Sequence, residues 1–281
     1  MRNVRPNAGL LLGCLAGSVL ALGLMVWYVN RSLSERRAVF MFMTALRSDD
    51  VTTARRLLDG GLDPNTRTLT SAGKASIGKQ FQALSHGWHG VPLLTSAVYF
   101  RAHGIQHLLL ARGAAVNTRD DKGNTALTWA ASRADPVSIK LLIARGADVN
   151  GADRAGTMPL MWAAVSAHAD CARLLLDRGA AVNAANKYGE TALIYAIGYH
   201  HLDTARLLIS RGADVNKASL YGTTPLMCAT TNGYPDIVRL LLTRGARADM
   251  ADRRGFTALS FASVTRHPDI AAILKKAGAH R

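Results

Sequence analysis

The sequence predicts an all-α repeat protein preceded by one apolar segment long enough to cross a membrane, and three observations carry that reading. Two series of glycines advance in steps of 33 residues. Between them, Leu- and Ala-rich segments place apolar residues at helical spacing. Near the start, the 22 residues from Ala8 to Val29 contain no charge. A fixed period of this length marks chains whose units bury their apolar faces on one another.

The totals agree. With 49% hydrophobic and 19% charged residues the chain is composed for folding rather than disorder. Aromatics at 6% are few, which favours thin layers of small-residue helices over a thick β core. The net charge of +15 attracts phosphates, acidic proteins and anionic lipid headgroups alike. The three cysteines, Cys14, Cys171 and Cys228, form no C-x-x-C pair and no spacing framework, which excludes a disulfide scaffold. Such quiet thiols fit a reducing compartment without forbidding an oxidising one.

From Ala8 to Val29, at about 1.5 Å per residue, a helix spans a hydrocarbon core of roughly 30 Å. Arg2 and Arg5 precede the run, Arg31, Arg36 and Arg37 follow it, and Trp27 and Tyr28 would sit at headgroup level. A cleaved signal peptide has a shorter apolar core. Leu11-Leu12-Gly13-Cys14 is similar to a bacterial lipobox, with Cys14 as the lipidated residue. Few apolar residues precede Cys14, however, and the run continues well past it, so the sequence favours an uncleaved single-pass anchor of the bacterial inner-membrane type. The count of basic residues after the run favours a cytoplasmic C-terminal domain. Against that, Arg2 and Arg5 resist export of the tail, and an N-terminal anchor usually exports the domain behind it; the balance tips towards the periplasm.

The first glycine series is Gly113, Gly146, Gly179, Gly212, Gly245 and Gly278; the second is Gly90, Gly123, Gly156, Gly189, Gly222 and Gly255. Around the first lie Leu-Leu-Ala-Arg-Gly-Ala-Ala-Val-Asn (109–117), Leu-Ile-Ala-Arg-Gly-Ala-Asp-Val-Asn (142–150) and Leu-Ile-Ser-Arg-Gly-Ala-Asp-Val-Asn (208–216). Around the second lie Gly-Asn-Thr-Ala-Leu (123–127), Gly-Glu-Thr-Ala-Leu (189–193) and Gly-Thr-Thr-Pro-Leu (222–226). Glycine after a helix supplies the left-handed residue that ends it, and Arg112, Arg145, Arg178, Arg211 and Arg244 just before it complement the helix dipole. Asn65, Asn117, Asn150, Asn183 and Asn216 are expected to close each turn through nearby backbone.

These motifs resemble the ankyrin repeat. The resemblance implies, per unit, a hairpin finger and two antiparallel helices, stacked into a curved solenoid that works as a protein-binding scaffold. Six units start near residues 87, 120, 153, 186, 219 and 252 and fill 87–281. A degenerate capping unit without a hairpin spans 36–65, behind a tail and anchor over 1–35. The step from Gly61 to Gly113 is 52 residues, 19 more than the period, which predicts an inserted surface loop over 66–86. One departure concerns the first helix, where the family's common His is replaced by Thr128, Met161, Ile194, Met227 and Ser260. Hydrogen bonds between units are expected to be missing there.

Candidate chemistry is sparse. Gly73 to Lys79 matches G-x-x-x-x-G-K, but Gln80 follows where a phosphate-binding loop needs Ser or Thr for magnesium. His86, His89, His103 and His107 cluster in sequence, yet the repeat layout puts the first two on the hairpin and loop and the others on an outer helix, short of three converging zinc ligands. No Ser-His-Asp, Cys-His or paired-carboxylate arrangement stands out, so the chain reads as a non-enzyme with no cofactor and no small-molecule substrate. An enzyme is the alternative only if the 66–89 region completes a metal or phosphate site. Nucleic-acid binding by the basic surface is a further alternative, disfavoured because helix capping explains the Arg series unit by unit. Trp129, Trp162, Tyr195 and Phe261 recur at multiples of the period and read as shared core.

The residues released from core duty are the fingertips: Lys122, Arg154, Lys187 and Tyr188, Leu220 and Tyr221, Arg253 and Arg254. Together with Arg133 and Tyr199 on the first helices they outline a concave face. Arg and Tyr are favoured binding anchors, and the basic charge selects an acidic protein partner.

Overall fold

The computed structural model describes residues 34–68, 90–166 and 168–279. Ala8 to Val29, Cys14, the Gly73–Gln80 string, His86 and His89 lie outside them. Fourteen helices form among the described residues, joined by turns and isolated β-bridges. Among these residues no helix is long and apolar enough to cross a membrane.

The first helix, α1 (34–48), buries Val39, Phe42, Ala45 and Leu46 and is followed by α2 (Val51–Asp59). Six helix pairs follow, each with a seven-residue inner helix and a nine-residue outer one. They are α3 (Leu93–Tyr99) with α4 (His103–Ala111), α5 (Ala126–Ser132) with α6 (Pro136–Ala144), and α7 (Pro159–Val165) with α8 (Ala169–Asp177). Then come α9 (Ala192–Gly198) with α10 (Leu202–Ser210), α11 (Pro225–Thr231) with α12 (Pro235–Thr243), and α13 (Ala258–Val264) with α14 (Pro268–Lys276). Inner helices stack on inner helices and outer on outer, so one continuous core runs the length of the solenoid.

Local chemistry sets the helix boundaries. Thr125, Thr191, Thr224 and Thr257 cap the inner helices through their hydroxyls. Pro at the first position of α6, α7, α11, α12 and α14 supplies the helical φ where no N–H is needed. Arg112, Arg145, Arg178, Arg211 and Arg244 occupy the C-cap of the outer helices, as their spacing predicts. Three also reach back one unit, Arg112 to Asp59, Arg211 to Asp177 at 2.7 Å and Arg244 to the Ile209 carbonyl at 3.4 Å.

Two expectations are corrected. Each Asn bonds forward to the next unit rather than closing its own turn. Asn150 Oδ1 accepts from Ala181 N at 2.8 Å while its Nδ2 donates to Gly179 O at 3.2 Å, and Asn65, Asn117, Asn183 and Asn216 repeat the pair. A side chain pointing along the stack finds the neighbour's orphan helix-end carbonyl before its own backbone.

The insertion also sits differently. Thr66 to Thr68 already belong to the first full hairpin: Thr68 N donates to Val91 O at 2.8 Å, Gly90 N to Thr68 O at 3.1 Å, and Leu93 N to Thr66 O at 3.1 Å. The first two are the bonds that Asp120 makes with Asn124 and Gly123 one unit later. In the chain, the 19 extra residues therefore fall between Thr68 and Gly90.

Thr128 and Ser260 complete capping boxes with Thr125 and Thr257 inside their own units. Links between units arise elsewhere: His103 Nε2 bonds Asp135 Oδ2 at 2.9 Å, Ser138 Oγ lies 2.7 Å from Gln106 Oε1, and His201 Nε2 bonds Val165 O at 2.8 Å. Burial of the Asp135 carboxyl opposes its ionisation, but hydrogen bonds from Ser138 and His103 outweigh that and hold it below the usual carboxylate range.

Candidate binding face

Each finger is nucleated by one side chain. Asp120 Oδ1 accepts from Lys122 N and Asn124 N at 2.9 and 2.8 Å, and Asp153, Asn186, Ser219 and Asp252 do the same in the following units. The tip backbones are then tied finger to finger: Arg154 N to Lys122 O, Lys187 N to Ala155 O, Leu220 N to Tyr188 O and Arg253 N to Tyr221 O, at 2.7–3.2 Å. The main chain of the tips is thereby spent on the scaffold, and their side chains are left over.

Lys122, Arg154, Lys187, Tyr188, Leu220, Tyr221, Arg253 and Arg254 are all exposed at the tips, and Arg133 and Tyr199 are exposed at the far ends of α5 and α9. They do not form one uniform face. Arg133 holds its guanidinium 4.4 Å over the Tyr99 ring, and its carbonyl accepts from Arg101. Tyr199 stacks on Tyr195 with ring centroids 6.1 Å apart. Arg254 is drawn to Asp252 at 3.4 Å and lies 5.3 Å from the Phe256 ring.

Apolar exposure concentrates in the last three units. Tyr188, Leu220 and Tyr221 are 51%, 50% and 64% exposed, and Phe256 and Val264 are exposed in the last unit. Phe256 and Val264 escaped the sequence reading. The available signal was a break in the repeat, since Phe256 stands where earlier units carry Asn124, Thr157, Glu190 and Thr223.

The earlier units offer a groove instead. About 170 Å³ opens between Lys122, Asn124, Trp129, Asp153 and Trp162. Trp129 Nε1 donates to Asp120 Oδ2 at 3.0 Å, and the hydroxyl of Tyr195 donates to Glu190 at 2.8 Å. Burial, then the Glu190 bond and charge, push the Tyr195 phenol up. Trp162, the counterpart between them, has its buried Nε1–H without a partner. These aromatic rings pack against the core, as their spacing suggested.

His103 is engaged by Asp135, and His107 is exposed on α4. Among the described residues no three His, Cys, Asp or Glu side chains gather as metal ligands. Burial pushes the Cys171 and Cys228 thiols up to about 11, which keeps them protonated and unreactive near neutrality.

The architecture is that of a helix-pair solenoid with hairpin fingers, a class built to present an extended face to other molecules. The family described as ankyrin repeats (3 copies) matches at residues 94–186, 139–219 and 216–280, so well over half of the chain is covered and the chain belongs to the ankyrin-repeat family. A comparison with curated proteins finds no match. Ankyrin repeats are in general protein–protein interaction modules and are typically non-enzymatic.

Proposed function

We propose that the chain is a membrane-tethered scaffold that holds an acidic protein segment across its fingers and inner helices. The observation that carries this reading is the exposure of Tyr188, Leu220, Tyr221 and Phe256 on fingers whose backbone is already fixed, with Lys187, Arg253 and Arg254 around them. Pre-ordered aromatic anchors lose little freedom on binding, and a basic surround favours carboxylates. In the earlier units the unpartnered Trp162 N–H beside Lys122 suits a single acceptor group, such as a carboxylate of the same partner. The charge-free run Ala8 to Val29 with its basic and aromatic flanks supports the tether, in the manner of a bacterial inner-membrane anchor.

The test is recovery of the full chain from native membranes as wild type, as Tyr221→Ala and as Arg254→Glu, followed by identification of what comes with it. An acidic protein present with the wild type and depleted from both variants is expected. Retention of the same proteins by both variants would refute the assigned face. Reporters fused after Arg281, active on only one side of the membrane, decide between cytoplasm and periplasm, and the periplasmic signal is expected.

A further inference from the structure

The two ends of the solenoid are finished differently. At the C-terminal end Lys275 is exposed where earlier outer helices carry Leu110, Ile143, Leu176, Ile209 and Leu242. That is the polar outer surface a terminal repeat needs in water. The N-terminal end differs at one position. Counted back eight residues from the left-handed residue between the paired helices, the inner helices carry Leu93, Ala126, Ala192 and Ala258, each no more than 2% exposed. The same count from Asp49 reaches Met41, which is 43% exposed.

Met41 is part of a stripe. Arg37, Met41, Thr44 and Ser48 fall at i, i+4, i+7 and i+11 on α1 and all are exposed. A groove of about 320 Å³ lies between Phe40, Met41, Thr44 and Ser48 of α1 and Asp50 and Thr53 at the start of α2.

We propose that this end face rests on the membrane interface, with anionic lipid headgroups as its occupant. The proposal rests on the reading of Ala8 to Val29 as a span. Only residues 30–33 separate Val29 from Ser34, and at ~3.6 Å per residue that link reaches no more than about 18 Å. The start of α1 is therefore held within a short distance of the headgroup layer. Arg37 stands one helical turn before Met41 on the same stripe, so its guanidinium reaches phosphate while the thioether and the neighbouring Phe40 meet the acyl boundary. The apolar area is small and would not bind a membrane unaided. Tethering raises its effective concentration, so a weak contact becomes persistent.

The full chain, carrying a benzophenone amino acid at Met41 or at Val264 near the other end, is reconstituted in vesicles of phosphatidylcholine and phosphatidylglycerol. Flotation reads the anchor, and irradiation reads the contact. The expected result is a floating chain with lipid attached at position 41 in several times the yield found at 264, and a severalfold drop on Arg37→Glu. A floating chain whose position 41 labels only protein, either a second copy or its own segment, overturns the docking and leaves the anchor standing. A chain that does not float overturns both.

Discussion

At the base of the hairpins one residue type makes the same two hydrogen bonds in five successive units; at their tips no two fingers carry the same pair of side chains. Asn65, Asn117, Asn150, Asn183 and Asn216 each join their unit to the next. The tips read Asp121-Lys122, Arg154-Ala155, Lys187-Tyr188, Leu220-Tyr221 and Arg253-Arg254, on backbones held alike. Sameness at the base follows from stacking, which asks one geometry of every unit. Variety at the tips follows from release: the backbone bonds are made without reference to the side chains, so these are free to specify a partner.

The two glycine series show how rigid each end of the hairpin is. Gly189 has φ +73°, and a Cβ there would lie 2.7 Å from Leu220 N in the next finger. Gly179 has φ +84°, and a Cβ there would meet nothing within 4 Å. Gly189→Ala adds a backbone clash to the left-handed penalty and is expected to cost about 3 kcal/mol, as left-handed strain of about 1–2 kcal/mol plus overpacking of similar size. Gly179→Ala meets the conformational term alone and should cost about 1–2 kcal/mol. Urea unfolding midpoints measure both. Equal losses would show that adjacent fingers slide apart freely and that the tips are not pre-ordered.

Asn150→Ala is the smaller step, at the repeated base. It removes the bonds to Ala181 N and Gly179 O, both exposed, and about 1 kcal/mol is expected at the lower end of the range for two such bonds. A neutral result would mean that water replaces the Asn and that the ladder contributes no stability.

Much of this was legible because repetition multiplies weak signals. A single Gly or Leu-Leu pair decides little, but a constant step of 33 residues marked the left-handed glycines, the capping arginines and the inner-helix core. What stayed hidden depends on the neighbour in space. Spacing cannot say whether Asn150 bonds its own turn or the next one, because the side chain's direction along the stack is set by packing. Thr68 escaped as the first finger's nucleating residue because it is separated by 21 residues from the Gly90 it pairs with. The exposed tip residues are readable as residues the core does not need; Phe256 is invisible to repetition because it is an exception to it.

Acid separates the base from the tips chemically. The Asp252 side chain is buried, which opposes ionisation, yet hydrogen bonds from the Phe256 and Arg254 amides and from the Arg254 side chain leave its carboxyl below the usual range. A depressed folded value means that this stabilisation is full above the unfolded carboxylate pKa of about 3.9 and is lost as pH falls through the folded value beneath it. Amide resonances of Arg254 and Phe256 should therefore shift below about pH 4, while that of Ala181, held by an Asn that does not titrate, stays in place. Parallel movement of all three would indicate global unfolding rather than a local loss at the finger.

Tyr221→Ala should have the smallest effect on stability and the largest on binding. The ring is 64% exposed, and the backbone bond from Arg253 N to Tyr221 O survives the change. Removal of an exposed side chain away from caps and core usually stays within about 0.5 kcal/mol, so the unfolding midpoint should be that of the wild type. Partner recovery should nevertheless drop, since truncating an aromatic anchor at an interface costs about 2 kcal/mol or more. The contrast matters more than either number: a fall in stability would make Tyr221 part of the scaffold, and unchanged recovery on an unchanged fold would move the binding site off the C-terminal fingers.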